Sequence, residues 1–411
     1  MFQLSIFALI LTIMLRFLLA LVFFSGLSLQ AQKDRFLKEI FDSVRVVTVT
    51  YSDVYQDAAH KADIYTPAKD TAGKRPLLIY VHGGSFIAGD KGSADCVDFC
   101  TRFAKMGYTA VSVNYRLGTL MQFMQSKDYQ MQTVMRSLAD IKAAIRFFVA
   151  DAKGNNIYRT DPARIFLGGY SAGAVAALHT AYIDSLSELT ASEQQLLKSS
   201  IGTLEGDAGN AGHSFNIKAL FSLAGALHKP EWVSPGEEPV WLAHSRDDGT
   251  VSYNCAPGLG LPNVLELCGT GKLMPALRSK NVLYDSMILE KEGHGWPSGG
   301  NGNADFRGAL DKITLFFYPM VAPKATQVSE ISGMQQGIRI SPNPASTGTI
   351  LRISTQHTIL FVRLYQPDGK MILEQKCSSP KNEVSFTIPQ LPPGIYWMET
   401  ESGCAKLVIE R

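Results

Sequence analysis

Gly169-Tyr170-Ser171-Ala172-Gly173 lies between the apolar run Ile165-Phe166-Leu167-Gly168 and the alanine-rich stretch Ala174 to Ala181. The order reads as strand, tight turn and helix, with the serine at the apex of the turn. So sharp a turn forces its central residue into a strained conformation, and small flanking residues let neighbouring backbones approach. The hydroxyl of Ser171 is thereby lifted above the sheet edge, and the following helix aims its positive N-terminal end at the site. A Gly-x-Ser-x-Gly string alone is often an ordinary glycine-rich turn. Its strand and helix flanks are what make this one specific.

Outward from this turn, short runs rich in Val, Ile, Leu and Tyr alternate with helical stretches. Strand candidates are Leu77 to Val81, Thr109 to Asn114, Arg164 to Gly168, Ile217 to Leu223, Pro239 to His244 and Val282 to Leu289. Between them, Val134 to Ala150 carries Leu138, Ile141, Ala144, Ile145 and Phe148 at helical spacing. Asp161-Pro162 reads as a turn before the strand at Arg164. The alternation predicts an α/β fold, a mostly parallel sheet with helices on both faces.

A serine hydroxyl is a weak nucleophile unless a base removes its proton, so a carboxylate and a histidine are expected downstream. Val240 to Val251 reads as a strand running into a turn that contains Asp247-Asp248, two carboxylates that chemistry alone does not separate. Leu289 to Trp296 follows another strand and sets His294 between Gly293 and Gly295, free to swing toward the serine. Among the 8 histidines, His294 has the best context; His82, His213 and His244 suit packing or loop roles. Upstream, Val81-His82-Gly83-Gly84-Ser85-Phe86 leaves a strand through two glycines whose bare amides can meet a carbonyl oxygen. Gly83 and Gly84, together with the Ala172 amide, are the candidate oxyanion hole, and His82 is expected to brace that loop.

Residues from about 45 to 320 resemble the α/β-hydrolases of the carboxylesterase and hormone-sensitive-lipase-like group. The resemblance is carried by Asp63-Ile64-Tyr65-Thr66-Pro67, His82-Gly83-Gly84, Gly169-Tyr170-Ser171-Ala172-Gly173 and Gly293-His294-Gly295, in that order. The acid segment is similar to a His-Gly-Thr-x-Asp-x-x-Val pattern, and setting Val251 on its valine places Asp248 on the catalytic aspartate. Departures are Ser245-Arg246 for Gly-Thr, Ser85 for a third glycine, and Tyr170 where Asp or Glu is usual. The resemblance implies a serine esterase working by acyl transfer on a small-molecule or polysaccharide ester (short-acyl or polysaccharide-linked), with Ser171 as nucleophile, His294 as base, Asp248 as its orienting acid and no cofactor. A serine peptidase of the same fold and a non-catalytic surface adhesion protein are the alternative readings.

Two insertions, Leu117 to Met131 and Ser185 to Ser214, are candidate walls or lids for the pocket. The methionines of the first, Met121, Met124 and Met131, equally suit core filling, and the loop Leu204 to Asn210 equally suits a solvated turn.

Residues 1 to 31 are almost wholly apolar, with Arg16 the one cation and no acid. They read as an export signal, best formed if the chain starts at Met14, with a membrane anchor as the alternative. After the catalytic region, 32–322, comes a polar linker, 323–337, and then short alternating segments broken by Pro, Gly and Asn, a small all-β sandwich over 338–411. Ile340-Ser341-Pro342-Asn343-Pro344, Leu391-Pro392-Pro393-Gly394-Ile395-Tyr396 and Lys406 to Arg411 resemble the C-terminal sorting domain of type IX secretion cargo. That resemblance implies recognition by the type IX secretion machinery and delivery to the medium or outer cell surface; a carbohydrate-binding or adhesive module is the alternative.

The 6 cysteines suit an oxidising destination. Cys255–Cys268 and Cys377–Cys404 are the expected bridges, while Cys96 and Cys100, one helical turn apart, fit either a bridge or two buried thiols. No Cys/His cluster has zinc-ligand spacing, so no metal site is expected. With 39 basic and 37 acidic residues and no clustered basic tract, nucleic acid is not an expected partner.

Overall fold

The computed structural model describes residues 34–322, 338–343, 345–366, 371–392, 394–400 and 403–410. The expected export segment and linker lie outside the described residues. The chain divides between residues 322 and 323 into two compact units.

In chain order the strands of the first unit are β1 (Val44–Thr50), β2 (Lys61–Pro67), β3 (Arg75–Val81), β4 (Thr109–Val113), β5 (Thr160–Tyr170), β6 (Ile217–Leu223), β7 (Ala226–Leu227), β8 (Val240–Ser245), β9 (Cys255–Pro257), β10 (Glu266–Gly269) and β11 (Tyr284–Leu289). Eight form the main sheet in the order β1-β2-β4-β3-β5-β6-β8-β11, and β7, β10 and β9 form a small satellite sheet. The run from β4 to β11 is parallel, whereas β1 and β2 join antiparallel at one edge. The helices are α1 (Ala94–Lys105), α2 (Leu120–Gln125), α3 (Lys127–Lys153), α4 (Ala172–Tyr182), α5 (Ala191–Ile201), α6 (Thr270–Ser279) and α7 (Ala304–Val321).

Strands β3 and β4 are buried along their whole length. A parallel strand covered on both faces has no solvent side, which is why Leu77 to Val81 of β3 is a continuous apolar run, and the two hydroxyls that β4 buries, on Thr109 and Ser112, donate to Tyr158 O and Lys91 O. Alternate residues feed opposite layers. Leu77, Ile79 and Val81 pack with Ile141 and Ile145 of α3 and Val175 and Leu178 of α4. Leu78 and Tyr80 pack on the other face with Phe99 and Phe103 of α1 and Ile313 and Phe317 of α7.

Two features differ from the sequence expectation. The edge strands β1 and β2 extend the sheet, and β1 is mostly exposed or half-buried, so its sequence carries no signature of a covered strand. Asp161-Pro162 falls inside the span of β5 rather than before it. Thr160 and Asp161 pair with Arg75 and Pro76, and the register then jumps so that Leu77 meets Ile165. Proline offers no ladder N–H, and the interruption at Pro162 becomes a bulge.

The Cys255–Cys268 bridge forms between the paired strands β9 and β10. Cys96 and Cys100 are unbridged thiols buried on α1.

The second unit is all-β: β12 (Arg339–Ser341), β13 (Ala345–Ser346), β14 (Ile350–Tyr365), β15 (Met371–Thr387), β16 (Gly394–Thr400) and β17 (Gly403–Glu410). They make one network, β12-β14-β16-β17-β13, with β15 along β14. Leu351, Ile353, Val362, Leu364, Phe386, Met398 and Leu407 form its apolar core. Cys377 carries a free thiol; the side chain of Cys404, its expected partner, lies outside the described residues.

Candidate active site

Ser171 caps α4 immediately after β5, at φ 54° and ψ −124°. A side chain in that conformation costs roughly 1–3 kcal/mol and persists only where its surroundings hold it. They do so by close packing: a Cβ on Gly169 or Gly173 would lie 2.2 or 2.0 Å from the carbonyl oxygen of Val81. The Ser171 amide is fixed by donation to Leu223 O at 2.9 Å.

His294 follows β11 and reaches back over the sheet end. Its Nε2 lies 2.8 Å from Ser171 Oγ, and its Nδ1 lies 2.7 Å from Asp248 Oδ2. A carboxylate only accepts, so Nδ1 carries the proton and Nε2 is left to accept from the serine hydroxyl. Asp248 Oδ1 accepts from the amides of Thr250 and Val251 at 2.8 and 2.9 Å. Burial by itself would raise the pKa of Asp248, but hydrogen bonds from His244, His294 and the Val251 amide outweigh it and hold the carboxyl well below the usual range.

Asp247, the neighbour that sequence chemistry could not separate, faces elsewhere. Its carboxylate accepts from Ser245 Oγ at 2.6 Å and from the Gly293 amide at 2.9 Å, which anchors the loop carrying His294. Tyr170 adds a second anchor by donating to His294 O at 3.1 Å. His244, expected to pack, is fully buried beside the acid: its Nε2–H donates to Val251 O at 2.8 Å, with Asp248 Oδ2 3.4 Å away. No sequence signal marked these roles beyond proximity to the acid motif.

The loop after β3 brings Gly83 against the nucleophile, where an added Cβ would stand 3.3 Å from Ser171 Cβ and 3.0 Å from Tyr170 Cδ1. His82 is buried behind it, stacked on Tyr115 at 4.4 Å between centroids and donating from Nδ1 to Gly83 O at 2.7 Å. Among the described residues, no protein oxygen accepts from the amides of Gly83, Gly84 or Ala172.

An apolar pocket opens beside Ser171. Phe123 and Met131 of the first insertion line it and are buried, whereas Met121 is exposed. The second insertion contributes no wall. Its loop is tied down instead: Asp207 pairs with Arg116 at 2.6 Å, and Gly209 O accepts from Arg146 at 2.8 Å.

Sheet order, the strained serine after β5, the downstream histidine that meets it and the acid behind that histidine define the α/β-hydrolase fold. Residues 62–226 match the BD-FAE family, and residues 339–410 match the secretion system C-terminal sorting domain. The first unit thus has the α/β-hydrolase fold, and the second is a type IX sorting domain, which directs the chain to the cell surface or extracellular space.

It is similar to carboxylesterase 3B of Mus musculus, 34% identical over 116 residues that cover 28% of this chain and 19% of the relative. Gut esterase 1 of Caenorhabditis elegans is 32% identical over 115 residues, again 28% and 19%. The chain thus spans about a fifth of the length of the curated relatives it matches. Among solved structures, Thermogutta terrifontis esterase 2 phosphorylated by paraoxon superposes with a TM-score of 0.50 at 20% identity, covering 69% of this chain and 97% of the other.

Proposed function

We propose that the chain is a secreted serine esterase that hydrolyses carboxylic esters through an acyl-enzyme on Ser171. The observation that carries this reading is the continuous hydrogen-bond chain from Ser171 Oγ through His294 to Asp248, beside amides with no other acceptor. The matched relatives, themselves named as esterases, support an ester over an amide.

In this mechanism His294 Nε2 takes the hydroxyl proton as Ser171 Oγ attacks the ester carbonyl carbon, and Asp248 stabilises the resulting imidazolium. The carbonyl oxygen becomes an oxyanion that accepts from the amides of Ala172 and of Gly83 or Gly84, each donor contributing roughly 3–4 kcal/mol to the transition state. Collapse expels the alcohol, which receives the proton from His294. Water, deprotonated by the same imidazole, then releases the acid and restores the serine.

The test is hydrolysis of p-nitrophenyl acetate by the full chain and by Ser171→Ala, beside a peptidyl p-nitroanilide. Ester turnover that disappears in the variant is expected. Turnover that survives in Ser171→Ala overturns the reading, and cleavage of the anilide alone replaces it with a peptidase.

A further inference from the structure

The apolar pocket has a direction. It contains Ser171, Val175 and His179, positions four residues apart that stack on one face of α4. From Ser171 to His179 is eight residues, about 12 Å along the helix axis, the length of roughly an eight-carbon chain. The far end is closed by a neutral side chain. Burial lowers the His179 pKa to about 3, while its Nδ1–H donates to Val175 O at 2.7 Å and its Nε2 accepts from the His228 amide at 3.3 Å.

The pocket also has a side. Ala172, itself a candidate oxyanion donor, and Ser85, next to Gly84, line it, and His294 does not. An imidazole that returns a proton to the leaving alcohol must face that alcohol. A pocket turned away from His294 therefore faces the acyl half of the ester.

Its walls are the α2–α3 segment and an excursion between Val251 and Gly269, and one buried residue clasps them. Gln130, 1% exposed, donates from Nε2 to Phe123 O at 2.6 Å and to Asn263 O at 3.1 Å, while its Oε1 accepts from the Leu265 amide at 2.8 Å. Both protons and the carbonyl of its amide are used, so the clasp leaves no polar group unpaired in an apolar wall. Asn263 returns a bond from Nδ2 to Met124 O. The Cys255–Cys268 bridge closes the neck of the excursion.

Resting on the esterase reading above, we infer that this is the acyl pocket, that Gln130 is the positioning residue holding its two walls together, and that the favoured substrates are esters of apolar acids of up to about eight carbons. Selectivity then depends on a side chain that touches neither the nucleophile nor the base.

The full chain is assayed on p-nitrophenyl acetate, butyrate, octanoate and palmitate, and on methyl octanoate against octyl acetate. Expected is a kcat/KM at least tenfold higher for butyrate or octanoate than for acetate, a fall of at least tenfold at palmitate, and a preference for methyl octanoate over octyl acetate. Val175→Trp, which fills the middle of the pocket, is expected to lower the octanoate-to-acetate ratio at least tenfold. Gln130→Ala is expected to lower it at least fivefold, through KM for octanoate rather than kcat. Covalent titration with a small organophosphate counts intact serine sites in each preparation. A flat or falling series from acetate upward, or a preference that follows the alcohol, overturns the acyl pocket while leaving the esterase standing. A Gln130→Ala ratio equal to wild type removes Gln130 from the assignment, and a variant that does not fold leaves the wild-type series to decide. No ester turnover and no organophosphate labelling overturn both readings.

Discussion

Two histidines in this chain are each held by carboxylates, and only one of them meets a hydroxyl. His294 donates from Nδ1 to Asp248, and its Nε2 meets Ser171 Oγ at the mouth of a pocket. His60, fully buried, has Nδ1 2.7 Å from Asp57 and Nε2 3.2 Å from Asp140, with Arg116 paired to Asp140 behind it. The ingredients are the same type, acid and imidazole at hydrogen-bonding distance. What separates them is the second nitrogen: occupied by a carboxylate it makes a brace, and turned to a hydroxyl it has the geometry that the proposed base requires. A carboxylate–imidazole pair alone is thus no sign of catalysis.

The contrast can be broken most forcefully at the serine. Ser171→Ala is expected to reduce ester kcat by about 10⁵- to 10⁶-fold, measured on p-nitrophenyl acetate. Loss of less than tenfold would put the chemistry elsewhere. Next come the two acids. Asp248→Asn should cost about 10³- to 10⁴-fold in kcat because an amide no longer fixes the tautomer that leaves Nε2 free. Asp140→Asn should instead leave kcat/KM within threefold and lower unfolding stability by about 3 kcal/mol, since Arg116 and His60 lose a buried partner; denaturant melts report it.

Gly83→Ala tests whether the free amides matter. Its methyl would crowd Tyr170 and Ser171, and kcat is expected to fall about 10²-fold. The smallest effect is a pH dependence at His60. Burial works to lower its pKa, but the hydrogen bonds and charges of Asp140 and Asp57 prevail and raise it. A raised folded value means stability fully present below the ordinary histidine range and lost as pH rises through the folded value. His60→Gln should therefore be less stable than wild type by about 1–2 kcal/mol in mildly acidic buffer, and the gap should close as pH is raised. A gap that widens with pH would reverse the assignment of charge to that histidine.

What could be read from the sequence follows from distance along the chain. The covered parallel strands were legible because burial on both faces writes short apolar runs, Leu77 to Val81 in β3 and Ala219 to Phe221 in β6. The exposed edge strand β1 writes no such run, and the bulge at Pro162 resembles a turn because both tolerate a residue without a ladder N–H. The serine turn was legible as a local string, and Asp248 could be chosen over Asp247 only through a family pattern, since both carboxylates are chemically alike. The structure separates them by what each oxygen accepts. Gln130 and His244 were not legible as parts of the site, because Gln130 meets Asn263 and Leu265 over more than a hundred positions, and His244 acts on an acid whose orientation is set by the fold.

The bridged neck between β9 and β10 has a consequence for engineering. Cys255 and Cys268 stand opposite each other, with Cα atoms 4.0 Å apart, so the twelve residues between them enter and leave at almost one point. Leu259, Val264, Leu265 and Leu267 of that stretch face the pocket, while Asp248, Ser171 and His294 all lie outside it. The segment is in effect an exchangeable cartridge: loops of other length or polarity can be grafted onto the same two anchor points, and the library so produced would vary in what it accepts while every member kept the same reacting atoms.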